Sequence, residues 1–124
     1  WRLMEGSECF NLSSSCNNGA LKLPILEYSH ADANCSVVGG YRYRGKEFPF
    51  MDGIYFFGDF CSGRIWGAGN EQGSWELRQL LDTSLSISTF GEDEKGEIYI
   101  AHLNSSQNDN GSIYRLKRVT PFPQ

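Results

Sequence analysis

From Ser36 onward one sequence pattern recurs: short runs rich in Tyr, Phe, Ile and Val are each bounded by Gly, Asp, Asn or Ser. Such runs are typical of β-strands separated by turns. Long helices are not expected, because no window of about 12 residues keeps an apolar period of 3.6 without containing a glycine. The sequence therefore predicts an all-β chain, with strands near residues 36–44, 53–59, 63–68, 74–80, 97–103 and 112–118.

In two stretches of the chain, a glycine stands at the start of each of two predicted strands. Gly53 and Gly63 begin the two strands of the first stretch, and Gly96 and Gly111 begin those of the second. The spacing is 43 residues for the first pair of equivalent glycines and 48 for the second. A period of this size is that of one four-stranded propeller blade, although two unrelated hairpins would produce a similar pattern.

Both faces of these strands are apolar. In GIYFFGDF, strand alternation places Ile54 and Phe56 on one face and Tyr55 and Phe57 on the other. Strands of this kind are covered on both sides, as blades within a ring are. A ring needs at least four blades, and 124 residues provide about two after an irregular start. We therefore expect the rest of its own propeller, or other chains, to complete the fold.

The four cysteines, Cys9, Cys16, Cys35 and Cys61, predict disulfides. No CxxC pair occurs, and the two histidines are not spaced with the cysteines as zinc ligands would be. Of the three possible connectivities we favour Cys9–Cys16 and Cys35–Cys61, with four buried free thiols as the alternative. Disulfides imply an oxidising compartment, extracellular or periplasmic.

Three divisions of the chain follow from these patterns. Residues 1–35 form an irregular, disulfide-clasped segment, residues 36–80 a propeller blade, and residues 81–124 a terminal blade with a C-terminal tail. Four Asn-x-Ser sequons are consistent with export, at Asn11, Asn34, Asn104 and Asn110.

Charge and hydropathy exclude two classes of function. The formal net charge is −4 and the sequence pI about 5.1, so the basic footprint of a nucleic-acid binder is missing. No window approaches the roughly 18 consecutive apolar residues of a spanning helix. We expect neither a nucleic-acid partner nor a membrane span.

Six segments, in this order, resemble the C-terminal part of the glucose/sorbosone dehydrogenase family. They are WRLMEG, LPILEYSH, CSVVGGYRYRG, DGIYFFGDFCSGRIWG, ISTFGEDEKGEIYI and GSIYRL. The resemblance implies two terminal blades of a six-bladed propeller. In complete quinoprotein members, pyrroloquinoline quinone (PQQ) held beside calcium accepts hydride from a sugar hydroxyl, and a histidine acts as the general base.

The resemblance also implies roles for particular residues. The family's catalytic histidine and calcium ligands lie upstream of this sequence, so we assign no catalytic residue and no metal ligand. Arg44 matches a basic residue that reaches the quinone, with Arg42 expected further down the same strand face. His30 is a candidate for lining the pocket. The alternatives are ion pairs of these arginines with Asp59 or Glu47, and an exposed loop position for His30.

One departure from the family pattern separates two hypotheses. Quinoprotein members place a pair of cofactor-binding arginines on the inner strand of the last blade, where this sequence has Ser86 and Ser88. Losing two cationic donors weakens a site for a tricarboxylate. The first hypothesis is the terminal part of a PQQ-dependent sugar dehydrogenase. The second is a non-catalytic module with a protein partner, as in the subgroup that includes hedgehog-interacting protein.

Overall fold

The computed structural model describes residues 3–10, 16–17, 19–104 and 110–119. The sequon at Asn11 and residues 105–109 lie outside these ranges. The described residues form β-strands and short 3-10 turns without an α-helix, as predicted. The strands are β1 (Met4–Glu5), β2 (Glu8–Cys9), β3 (Val37–Arg42), β4 (Tyr55–Asp59), β5 (Arg64–Glu71), β6 (Ser74–Asp82), β7 (Ile87–Glu92), β8 (Ile98–His102) and β9 (Ser112–Arg115).

The first large sheet is an antiparallel meander of β3, β4, β5 and β6 in that order. Its tightest connection joins β5 to β6, where Gly73 has a φ of 87° and donates its amide to the Asn70 side chain. A Cβ at Gly40 would overlap the carbonyl oxygen of Phe56, so the irregular register of β3 needs a glycine there. The arrangement is that of one four-stranded blade.

The second large sheet contains β7, β8 and β9. Strand β7 is absent from the strand ranges that the sequence pattern predicts, although the family resemblance implies an inner strand around Ser86 and Ser88. Packing in the core stabilises this strand, because Ile87 and Phe90 are buried there. The start of the chain also differs from the prediction, because β1 and β2 form a small hairpin within the segment expected to be irregular.

The main core lies between the two large sheets. β3 and β7 lie next to each other, as the inner strands of adjacent blades do. The first sheet and its β3–β4 connection contribute Tyr43, Met51, Phe56 and Ile65, and the second sheet with the residue after β9 contributes Ile87, Phe90, Ile98, Ile100 and Leu116. The sheets are consistent with two partial propeller blades packed face to face.

A smaller core covers part of the opposite face of the first sheet. Phe57 and Trp66 are buried there beneath Leu26 and Tyr28 of the N-terminal segment. The ring centroids of Tyr28 and Trp66 are 4.9 Å apart. The N-terminal segment therefore occupies part of the face that a preceding blade would cover in a ring.

Both predicted disulfides are confirmed. Cys9 is bonded to Cys16, and Cys35 to Cys61, with Cα–Cα distances of 5.6 Å in each pair. The second bond ties the residues before β3 to the turn between β4 and β5. Within the described ranges, no helix is long and apolar enough to cross a membrane.

Candidate functional site

A groove of about 1100 Å³ lies between the first sheet and the N-terminal segment. Its floor is the sheet face that turns away from the second sheet. The floor is mainly apolar and is lined by Val37, Arg42, Tyr55, Phe57, Ala68 and Trp75. The opposite wall, formed by the β1–β2 hairpin and residues 24–30, carries the carboxylates of Glu5, Glu8 and Glu27.

Glu27 fixes the hairpin that forms this wall. Its carboxylate accepts hydrogen bonds from the Ser7 amide at 2.8 Å and from the Ser7 hydroxyl at 3.0 Å. The bond from the Ser7 hydroxyl, together with that from its amide, lowers the pKa of Glu27. The hairpin and residues 24–30 therefore act as one wall.

Arg42 and His30 both line the groove. Within the described part of the chain, the Arg42 guanidinium has no hydrogen bond or ion pair. His30 is exposed on the segment anchored by Tyr28, whose hydroxyl donates to Asp59 at 2.9 Å. The groove thus holds His30, one of the two predicted site residues, together with Arg42, which was expected further down the strand face from Arg44.

Arg44, the other predicted site residue, lies elsewhere. Its Nε and Nη2 donate to the Glu92 carboxylate at 3.0 and 2.7 Å. The hydrogen bond and the charge of Glu92 raise the pKa of Arg44. The alternative interpretation named Asp59 or Glu47 as partners, but the partner is Glu92, on the inner strand of the next sheet.

The expectation that Arg42 and Arg44 share one strand face is wrong. β3 ends at Arg42, so strict alternation does not extend to residue 44. Between them Tyr43 is 1% exposed and packs toward the second sheet. Arg42 consequently faces the groove, while Arg44 reaches across to Glu92.

The positions matched to the missing arginine pair also lie apart from Arg44. Ser86 precedes β7 and donates its amide to His102, and Ser88 donates its hydroxyl to the carbonyl of Ala101. Glu92, the partner of Arg44, is at the other end of the same strand. Three residues lie between Ser88 and Glu92, and four steps along an extended strand correspond to roughly 13 Å.

The residues described here do not by themselves fit a tricarboxylate quinone or a calcium ion. Arg44 is neutralised by Glu92, and the groove around Arg42 carries three glutamates. Of the described side chains, only Cys35, Asp59 and Cys61 cluster closely enough to hold a metal. Their two sulfurs form a disulfide, which leaves a single carboxylate.

Asp59 is a buried hydrogen-bond centre that sequence reasoning did not identify. Its Oδ1 accepts from the Tyr28 hydroxyl and the amides of Cys35 and Ser36, and its Oδ2 accepts from the amide of Ser62. Burial raises the pKa of Asp59, but these four bonds outweigh it and lower the pKa to about 2. The carboxylate thus joins the wall of the groove to its floor.

Glu97 is a second buried carboxylate, at 4% exposure, and it lies between the sheets. It accepts a hydrogen bond of 2.9 Å from the Tyr43 hydroxyl and lies 3.9 Å from the Arg115 guanidinium. Burial of the Tyr43 hydroxyl raises its pKa, and the hydrogen bond to the Glu97 carboxylate raises it further. Glu97 ends the acidic run GEDEKGE, where the Gly96 amide donates to the Asp93 carbonyl at 2.9 Å, and this run is the signal in the sequence that could have drawn attention to it.

Comparison with known proteins gives five significant relatives. HIPL2 protein of Arabidopsis thaliana is 35% identical over 81 residues, covering 55% of this chain and 11% of the relative. HIPL1 protein of the same organism is 26% identical over 152 residues, covering 95% and 21%. Human Hedgehog-interacting protein is 35% identical over 97 residues, covering 68% and 14%.

No family model matches the chain, and no solved structure gives a significant match. The two disulfides and the kinship with Hedgehog-interacting protein are consistent with an extracellular location. The chain spans between 11% and 21% of the length of these three relatives. It is therefore homologous to Hedgehog-interacting protein and the HIPL proteins, over a segment that corresponds to a small part of each.

Proposed function

We propose that this chain is a non-catalytic pair of blades from an extracellular β-propeller that binds a protein partner. The observation that carries the proposal is the ion pair between Arg44 and Glu92. The residue matched to the quinone-contacting position has a carboxylate partner within its own chain. It therefore joins two sheets, and an anionic cofactor would have to compete with Glu92 for its charge.

The homology supports a protein ligand. One relative is named for an interaction with Hedgehog, which is a protein. Hedgehog is accordingly the first ligand to test against the immobilised chain, by surface plasmon resonance. Saturable binding would support the proposal and would identify the class of ligand.

The second candidate function is sugar oxidation with PQQ by a complete propeller. It rests on the resemblance to the glucose/sorbosone dehydrogenase family and on the position of Arg44. A bound quinone would supply the hydride acceptor. Arg44 could contribute a cationic donor to such a site only after separating from Glu92.

Quinone titration separates the two candidates. The longest natural form of the protein is titrated with PQQ in the presence of calcium by calorimetry, and dye reduction is followed with aldoses. We expect no binding heat and no sugar-dependent reduction. Stoichiometric PQQ binding with dye reduction, lost in Arg44→Ala, would contradict the proposal.

A further inference from the structure

Two of the four glycosylation sequons lie wholly within the described residues, and their surroundings differ. The sequon at Asn34 precedes β3, and the sequon at Asn110 leads into β9. An N-linked glycan is attached to the side-chain nitrogen of an asparagine that has a serine or threonine two residues later. Both sequons supply the serine, so the accessibility of the asparagine nitrogen distinguishes them.

The side chain of Asn34 is held at both of its polar atoms. Its Nδ2 donates to the Ser29 carbonyl at 3.1 Å, and its Oδ1 accepts from the Arg64 guanidinium at 3.2 Å. The same guanidinium nitrogen donates to the Asp32 carbonyl at 2.8 Å. Asn34 is half-buried. The nitrogen that would accept a glycan is therefore engaged, and the amide group that carries it is fixed in orientation.

The backbone of the same sequon is also fixed. Its middle residue, Cys35, is bonded to Cys61. The amides of Cys35 and Ser36 donate to the buried Asp59 carboxylate at 2.9 and 2.8 Å, and the Ser36 carbonyl accepts from the Phe60 amide at 2.9 Å. A glycosyltransferase could bind this segment only after these contacts were broken. The folded chain therefore closes the sequon at Asn34.

The surroundings of Asn110 are the opposite. Asn110 is exposed, and within the described part of the chain its side chain makes no hydrogen bond. The middle residue of its sequon is Gly111, which adds no side chain beside the asparagine. The hydroxyl is that of Ser112, the first residue of β9. The nitrogen that would accept a glycan is therefore open in this sequon.

We propose that Asn110 carries an N-linked glycan, whereas the fold of residues 29–64 keeps Asn34 unmodified. In the transfer, Nδ2 of Asn110 forms a bond to the C1 carbon of the first sugar of a lipid-linked oligosaccharide diphosphate. The bond between C1 and the diphosphate oxygen breaks, and the lipid diphosphate leaves with the electron pair. The asparagine nitrogen loses one proton.

Both parts of the proposal are independent of what precedes or follows these residues in a longer chain. The contacts that close Asn34 all join residues between 29 and 64. These residues are exported before Asn110, so they can fold while Asn110 still awaits modification. Asn110 has to be accessible only during export, before neighbouring blades pack, so the later packing of other blades does not decide its modification.

The proposal rests on the extracellular location with which the disulfides and the kinship with Hedgehog-interacting protein are consistent. It does not rest on the ligand of the propeller. The binding experiments with Hedgehog and with PQQ therefore bear on the proposed function alone, and glycan occupancy bears on this proposal alone.

The test is mass spectrometry of intact glycopeptides from the longest natural form of the protein, secreted by cultured eukaryotic cells. Each sequon is measured on its own peptide, so glycans elsewhere do not interfere. We expect a glycan on Asn110 and none on Asn34. Asn110→Gln should remove one glycan from the mass of the intact protein. A glycan on Asn34 of the unaltered protein, or an unmodified Asn110, would overturn the proposal.

Cys61→Ser tests whether the fold closes Asn34, because it breaks the disulfide and leaves the sequon itself unchanged. Glycan occupancy of Asn34 should rise several-fold, measured in whole-cell extracts so that impaired secretion does not hide it. The double variant C9S/C16S is the matched control, since it removes the disulfide that lies outside residues 29–64. It should leave Asn34 unmodified. Unchanged occupancy in Cys61→Ser, or an equal rise in the control, would overturn the part of the proposal that concerns Asn34.

Discussion

At the scale of single residues, Asp59 is the side chain on which the N-terminal segment depends. It is fully buried and accepts four hydrogen bonds, three of them from the amides of Cys35, Ser36 and Ser62 at the Cys35–Cys61 disulfide. A buried carboxylate is stable only when its oxygens are satisfied, and here donors reach both of them. Its role is therefore structural, and it joins the covering segment to β4.

Replacing Asp59 by asparagine should destabilise the protein by about 2–3 kcal/mol, because an amide nitrogen cannot accept from the backbone donors around it. Urea unfolding followed by fluorescence measures the change. Asp82→Asn is the control, since Asp82 has 64% of its side chain exposed and lies 3.9 Å from its cationic neighbour. The control should change stability by less than about 0.5 kcal/mol, and an equal effect in both variants would contradict the assignment.

The same carboxylate predicts a pH dependence of stability. The pKa of Asp59 falls from 3.8 to about 2 on folding, so its contribution is fully present above pH 4 and is lost as the pH falls through 2. The shift corresponds to about 2 kcal/mol. The free energy of unfolding should therefore drop more steeply between pH 4 and 2 in the native sequence than in Asp59→Asn. Parallel curves for the two proteins would show that Asp59 has the same pKa when folded and unfolded.

At the scale of elements, the irregular register of β3 depends on close approach of two backbones. A side chain at Gly40 would overlap the carbonyl oxygen of Phe56 on β4, whereas nothing lies within 4 Å of a Cβ placed on Gly69 in β5. Neither glycine has a positive φ, so the difference between them is one of space. The two positions form a matched pair within one sheet.

Gly40→Ala should destabilise the first sheet by about 1–3 kcal/mol, because the added methyl must push β3 away from β4. Gly69→Ala should be neutral or stabilise by up to about 1 kcal/mol, because it only restricts the unfolded chain. Thermal unfolding by circular dichroism distinguishes the outcomes. Equal stability of the two variants would mean that β3 and β4 do not approach as closely as described.

At the scale of the whole molecule, the two large sheets pack against each other through one face each, and their other faces are partly exposed over the described residues. Ile65 and Ile113 occupy equivalent positions, but only Ile65 is enclosed by a neighbouring sheet. The strand pairing of the two isoleucines is equivalent, so it does not explain the difference in their burial. Ile65 is buried because the neighbouring sheet covers it. Propeller blades in general depend on such contacts with adjacent repeats.

Ile65→Ala should destabilise the chain at dilute concentration by about 2–4 kcal/mol, since it opens a cavity between the sheets. Ile113→Ala should leave the stability of the dilute chain within about 0.5 kcal/mol, because it removes an exposed side chain. Chemical unfolding at low protein concentration measures both. A large loss in Ile113→Ala under these conditions would place that residue in a core of the single chain.

The sequence by itself determined the features that depend on neighbours along the chain. Alternating aromatic runs and glycines predicted most of the strands, and cysteine spacing predicted both disulfides. Only the tertiary structure decided that Arg42 and Arg44 face different surroundings, and that Asp59 and Glu97 are buried hydrogen-bond centres. The physical reason is that strand alternation fixes side-chain direction only while the strand continues. The partner of a charged group is fixed by the packing of sheets whose residues lie tens of positions apart.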